Sequence, residues 1–198
     1  MKRIAVLVSG GGTNLQALLD AEQSGVIKSG KIVAVVASKP GVYALERAKK
    51  AGVASTVISR KEFDSGEAFN HALCAYMQSM QIDLIVLAGY LSIVGGELLS
   101  AYQNRIINIH PSLIPSFCGD GFYGLRVHQA ALDYGVKVTG ATVHFVNEIT
   151  DGGKIILQKA VEVQDGDTAE TLQKRVMEEA EWKILPQAVE LFCSGKLN

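Results

Sequence analysis

Three polar residues in this chain are candidates for chemistry, Asn108, His110 and Asp151, although a strand-end histidine and an asparagine before a turn also fit a purely structural role. Asn108-Ile109-His110-Pro111-Ser112 closes a short apolar run, and residues two apart on a strand share a face, so the amide and the imidazole project together. An amide donor beside an imidazole can stabilise a developing oxyanion, and a nearby carboxylate favours the protonated ring. Asp151 heads the turn Asp151-Gly152-Gly153 and is the candidate partner from a distance. A second constellation is Ser9-Gly10-Gly11-Gly12-Thr13-Asn14, between an apolar run and a helical pattern. Glycines there let backbone N–H groups approach an anion, and a helix N-terminus adds partial positive charge. A dinucleotide fingerprint needs a glycine where Leu15 stands and an acidic residue where Ser38-Lys39 stands. The GxxxxGK[ST] loop is absent, which leaves a monophosphate on a smaller ligand. A plain tight turn with Thr13 or Asn14 as helix cap fits the same string.

Other chemistry-bearing residues carry weaker signals. Strand alternation alone accounts for His144. His71 and Cys74 are three apart on a helical pattern, but no further ligands are spaced to complete a zinc site. There is no GxSxG elbow and no HExxH pair.

The elements that must position these residues alternate. Ile4–Val8, Ile32–Ala37, Val57-Ile58, Asp83–Ala88 and Ile106–Ile109 read as buried strands. Between them lie helical patterns: Leu15, Leu18 and Leu19; Leu45 and Ala48, stopped by Gly52; and Glu67–Met80. This alternation predicts a parallel α/β sheet with both faces covered. Ligands of such sheets sit beyond the strands' carboxyl ends, where the glycine loop, Gly89-Tyr90 and Asn108/His110 all fall. Residues 111–125 form a loop long enough to suggest function. Val138–Val146 and Lys154–Val163, joined through Asp151-Gly152-Gly153, predict an antiparallel hairpin. A last helix starts near Thr168, where Asp167-Thr168-Ala169-Glu170 resembles a capping box, and Pro186 is expected to kink or divide it.

Composition limits the function classes. The chain has 198 residues, 48% hydrophobic and 20% charged, which excludes disorder and coiled coil. A net charge of -1 offers no basic footprint for nucleic acid or a membrane surface. No apolar run approaches the roughly 18 residues of a membrane span, and Ile4–Val8 is too short for a signal peptide. Cys74, Cys118 and Cys193 are scattered and odd in number, as expected of reduced thiols in a cytoplasm.

Together these strings resemble the phosphoribosylglycinamide formyltransferase family, the folate-dependent glycinamide ribonucleotide transformylases of purine synthesis. The landmarks are Ser9–Asn14, Leu87-Ala-Gly-Tyr-Leu91, Asn108-Ile-His-Pro-Ser-Leu-Ile-Pro115, Thr142-Val-His-Phe-Val146, Asp151-Gly-Gly153 and Glu181, five residues before Pro186. The resemblance implies a mostly parallel, Rossmann-like sheet covered by helices, as one formyltransferase domain over 1–198. It implies transfer of the formyl group of 10-formyltetrahydrofolate to glycinamide ribonucleotide, with Asn108, His110 and Asp151 catalytic and no metal. Gly11, Gly12, Thr13, Asn14 and Glu181 would hold the phosphate and ribose. Leu91, Ser92, Ile93, Val94, Asn108, Asn147, Glu148, Ile149 and Thr150 would line the folate site. The implied partners are small molecules, with no nucleic acid or membrane, for a monomer or homodimer. A formyltetrahydrofolate hydrolase and an inactive phosphoribosyl-ligand binding module remain as alternatives. Gly66 and Ser92 stand where some family members carry arginine, so Arg60 or Lys61 is expected to supply the charge for the folate tail.

Overall fold

A computed structural model of the chain describes residues 1–197. Seven strands form one sheet: β1 (Lys2–Val8), β2 (Gly30–Ala37), β3 (Ala54–Val57), β4 (Leu84–Leu87), β5 (Ile106–His110), β6 (Val138–Phe145) and β7 (Ile155–Glu162). Their order is β3-β2-β1-β4-β5-β6-β7. The first five are parallel, as the strand–helix alternation requires. β6 runs antiparallel to both β5 and β7. The β6–β7 hairpin matches the sequence expectation, whereas the β5–β6 pairing has no local turn signal because 27 residues separate the strands.

Alternation along β1 sorts the core into two layers. Ile4, Val6 and Val8 face α1 (Thr13–Gln23) and α2 (Tyr43–Lys50) through Leu15, Leu18, Ala44 and Ala48. Ala5 and Leu7 face α3 (Gly66–Ser79) and α4 (Gly96–Ala101) through Phe69, Leu73, Met77 and Leu98. α5 (Leu125–Tyr134), which follows the 111–125 loop in a stretch where the sequence predicts no element, connects β5 to β6. α6 (Ala169–Val176) and α7 (Trp182–Cys193) complete the first layer with Leu172, Val176, Leu185 and Val189.

Two local expectations shift. The α6 capping box is Thr168 with Thr171, one residue beyond the string first considered, because Asp167 is engaged by Arg175 at 2.5 and 2.7 Å. Pro186 does not divide its helix. It sits one turn into α7, where its missing N–H costs only the Trp182 carbonyl a partner. The irregularity falls upstream, in a π turn over Met177–Glu181 that joins α6 to α7. Among the described residues no helix is long and apolar enough to cross a membrane.

Candidate active site

The chain passes from β1 outward to β2 on one side and to β4 on the other, so a crevice opens at their carboxyl ends. Ser9 pins that junction. Its N–H donates to the Gly89 carbonyl at 3.2 Å, and its Oγ accepts from Leu91 N at 2.9 Å. A cavity of about 480 Å³ extends from here across β5 to the β6–β7 turn.

Four side chains converge in this cavity. Asn108 and His110 leave β5 on one face as predicted, and β6 places His144 directly opposite Asn108. Asn108 Nδ2 lies 3.1 Å from His144 Nε2. His144 Nδ1 is 2.8 Å from the Phe145 carbonyl, which can only accept, so that nitrogen carries a proton and a neutral ring offers Nε2 to the Asn108 amide. His110 Nε2 likewise donates to the Phe117 carbonyl at 2.9 Å, turning Nδ1 toward Asp151 Oδ2 at 3.5 Å. Asp151 Oδ1 is 3.6 Å from His144 Nε2. His144 is thus a member of the cluster that strand alternation alone understated.

Backbone geometry explains why Asp151 arrives there. A Cβ on Gly153 would stand 1.7 Å from the Phe145 carbonyl oxygen, so only glycine lets the turn close this tightly. Asp151 itself has φ 54°, a left-handed conformation that costs a non-glycine residue about 1–2 kcal/mol. The Gly119 N–H bond to Asp151 Oδ2 at 2.9 Å, and the Thr150 Oγ1 bond to Asp120 Oδ1 at 3.2 Å, hold the turn against the 116–124 loop. Burial pushes the Asp151 carboxyl up, but hydrogen bonding and the two neighbouring imidazoles outweigh it and leave the group below the usual carboxylate range. Burial holds His110 below its ordinary pKa, against the opposing pull of Asp151 and the Phe117 carbonyl.

The expected folate-side residues Leu91, Ser92, Ile93, Val94, Asn147, Glu148, Ile149 and Thr150 all line the same cavity. Leu91, Ile93 and Ile149 are exposed there, a large apolar edge for a folded chain to leave uncovered. The loop residues Asp120, Gly121, Phe122, Tyr123 and Gly124 also line it, and only the length of their loop signalled them in the sequence. Arg60 and Lys61 do not line it, and Arg60 Nη1 is turned onto the Phe63 carbonyl at 2.7 Å.

The phosphate-loop residues divide. Asn14 and Glu181 line the cavity, joined by a 2.6 Å bond from Asn14 Nδ2 to Glu181 Oε2, while Gly11, Gly12 and Thr13 do not. Gly11 and Thr13 are exposed at its approach. Gly12, not Thr13 or Asn14, is the N-cap, with φ 73°, and a Cβ on it would meet Ala44 Cβ at 2.7 Å. Gln173, Met177 and Glu181, spaced four apart across the π turn, reach the cavity from the opposite wall. Burial pushes the Glu181 carboxyl up to about 6 despite the Asn14 bond. Among the described residues no group of three or more His, Cys, Asp or Glu side chains is placed to hold a metal ion.

A mostly parallel sheet brings Asn108, His110 and Asp151 together in its carboxyl-end cavity, and residues 2–189 match the formyl transferase family model. The chain is 42% identical over 198 residues to a phosphoribosylglycinamide formyltransferase of Haemophilus influenzae, covering all of this chain and 90% of that protein. It is 45% identical over 196 residues to the trifunctional purine biosynthetic protein adenosine-3 of Bos taurus, covering 99% of this chain and 19% of that protein. The chain therefore spans about a fifth of such trifunctional relatives. The crystal structure of glycinamide ribonucleotide transformylase 1 from Symbiobacterium toebii superposes with a TM-score of 0.94 at 46% identity, covering all of this chain and 90% of that one. The chain belongs to the formyl transferase family, on its phosphoribosylglycinamide formyltransferase branch.

Proposed function

We propose that the chain transfers the formyl group of 10-formyltetrahydrofolate to the amine of 5′-phosphoribosylglycinamide, giving formylglycinamide ribonucleotide in de novo purine synthesis. The observation that carries this reading is the convergence of Asn108, His110, His144 and Asp151, with neighbours 3.1–3.6 Å apart, in one carboxyl-end cavity. Residues 1–198 would act as one domain, monomeric or homodimeric, on small molecules in the cytoplasm.

The chemistry asks little for the nucleophile. An α-amino group has a pKa of about 7.7–8.0, so roughly a tenth is already neutral near pH 7. What must be supplied is stabilisation of the oxygen that gains charge and a path for the proton the amine loses. Asn108 has one amide hydrogen committed to His144 and a second free to donate to that oxygen. With Nε2–H fixed on the Phe117 carbonyl, a second proton on His110 must sit on Nδ1, facing Asp151. Burial disfavours that proton in the ligand-free site, so it is acquired only as the substrate oxygen gains charge, and the 3.5 Å gap to the carboxylate leaves room for that oxygen or a water to share it. A positioned donor of this kind is typically worth about 10²–10³ in rate. Asp151, kept ionised at neutral pH, can take the amine proton through a water and return it to the departing folate nitrogen. Asn14 and Glu181 would take the ribose hydroxyls, Gly11, Gly12 and Thr13 the phosphate, and Leu91–Val94 with Asn147–Thr150 the folate.

The test is an absorbance assay with 10-formyl-5,8-dideazafolate, with and without glycinamide ribonucleotide. Turnover that requires the ribonucleotide supports the transferase. Turnover without it would mark a hydrolase, and none with either a binding module.

A further inference from the structure

The structure carries a second cavity, of about 640 Å³, between α1 and α7. Its lining includes Ala17, Ala21 and Val26 from α1 and the turn after it, and Trp182, Lys183 and Pro186 from α7. That size suits a drug-sized ligand rather than a solvent dimple. Neighbouring residues divide between the two cavities. Thr13 and Trp182 line this one, Asn14 and Glu181 line the other, and the Asn14–Glu181 bond closes the shared wall.

Three chemical features define an occupant. Trp182 and Pro186, with Ala17 and Ala21, give the lining an apolar face. Lys183 has no ion-pair partner among the described residues, and Arg47, also in the lining, engages Gly11 O and Gln16 Oε1 through Nε and Nη1. The single carboxylate of the lining, Asp20, accepts from Gln16 Nε2 at 2.8 Å. The charge contrasts with the catalytic cavity, whose lining has no lysine or arginine.

We propose that this cavity is a second small-molecule site for a planar aromatic anion. The ring would lie among Trp182, Pro186 and the alanines, and the anionic group would pair with Lys183. The occupant reaches the ribonucleotide site through the wall formed by Thr13–Asn14 and Glu181–Trp182, so its binding changes the affinity for the ribonucleotide. This coupling rests on the function proposed above; the binding itself does not.

Trp182 is the only tryptophan in the chain, so its fluorescence reads this cavity directly. The probe is adenosine 5′-monophosphate, with ribose 5-phosphate as the control that keeps the anion and drops the ring. Adenosine monophosphate should change the emission saturably with a midpoint below about 1 mM, and ribose 5-phosphate should not. Lys183→Glu, at an exposed position, and Ala17→Leu, which fills the cavity, should each weaken binding about tenfold or more, while His110→Ala leaves it intact. Adenosine monophosphate should also shift the KM for the ribonucleotide at least about twofold in the wild type and not in Lys183→Glu. No saturable change, an unchanged midpoint in both cavity variants, loss of the response in His110→Ala, or an equal response to ribose 5-phosphate overturns the site. A saturable response with no KM shift overturns the coupling. Absence of turnover in the wild type would count against the transferase reading and leave the fluorescence result standing.

Discussion

In the ligand-free protein Glu181 is 6% exposed, and burial raises its carboxyl from 4.5 to about 6 even though it accepts a bond from Asn14. At about 1.4 kcal/mol per tenfold change, that rise of roughly one and a half decades is worth about 2 kcal/mol. The folded pKa lies above the unfolded one, so the folded chain binds this proton more tightly. The stabilisation is complete below about pH 4.5 and is lost as pH rises through 6. Glutamine keeps an oxygen for Asn14 but cannot ionise. Glu181→Gln should therefore be about 2 kcal/mol more stable than the parent at pH 7, or about 4–8 °C in Tm, and nearly equal to it at pH 4. Urea or thermal unfolding between pH 4 and 8 checks this. The same change should raise the KM for glycinamide ribonucleotide about tenfold, because hydrogen bonds to a charged acceptor outweigh those to a neutral amide. A stability difference independent of pH, or a less stable variant at pH 7, would refute the electrostatic reasoning. An unchanged KM would remove Glu181 from ribose binding.

Other expectations follow from the same geometry. Asp151→Asn should lower kcat by about 10² or more with little change in either KM, and steady-state kinetics with near-normal kcat would exclude it from proton transfer. His144→Ala leaves the Asn108 amide without its acceptor, so kcat should fall about tenfold while substrate KM values hold; a selective KM effect would contradict the positioning role. Gly12→Ala must move Ala44 and strain a left-handed φ, so it should cost about 1–3 kcal/mol in denaturant unfolding. Arg60→Glu with Lys61→Glu should leave the KM for polyglutamylated folate unchanged, since neither residue lines the cavity; a large rise would restore the original expectation.

Much of this architecture is legible in the sequence because its strands are buried on both faces and therefore apolar throughout. Asn108 and His110 were legible from two-residue spacing, and the carboxyl-end rule placed the glycine loop beside them. Longer-range facts were not. His144 joins the cluster only through its register opposite Asn108, which is set by a pairing with no turn to announce it. α5 escaped notice because Val127, His128 and Ala131 are its buried residues, too few apolar positions to show a period. Arg60 looked available from its type and position, and nothing local revealed that its guanidinium would close its own short turn.

The π turn between α6 and α7 acts as a phase adjuster. Successive residues on an α-helix are about 100° apart, and a π turn takes up one extra residue without breaking the rod. α6 can thus present Gln173 to the cavity, and α7 can bury Leu185, Ala188 and Val189, with Glu181 in step with both. Deleting one residue from Met177–Glu181 would leave every strand in place yet rotate one helix about 100° against the other. Either the carboxylate would leave its pocket or the apolar face would leave the core. A single surplus residue synchronises substrate binding with the packing of the last helix.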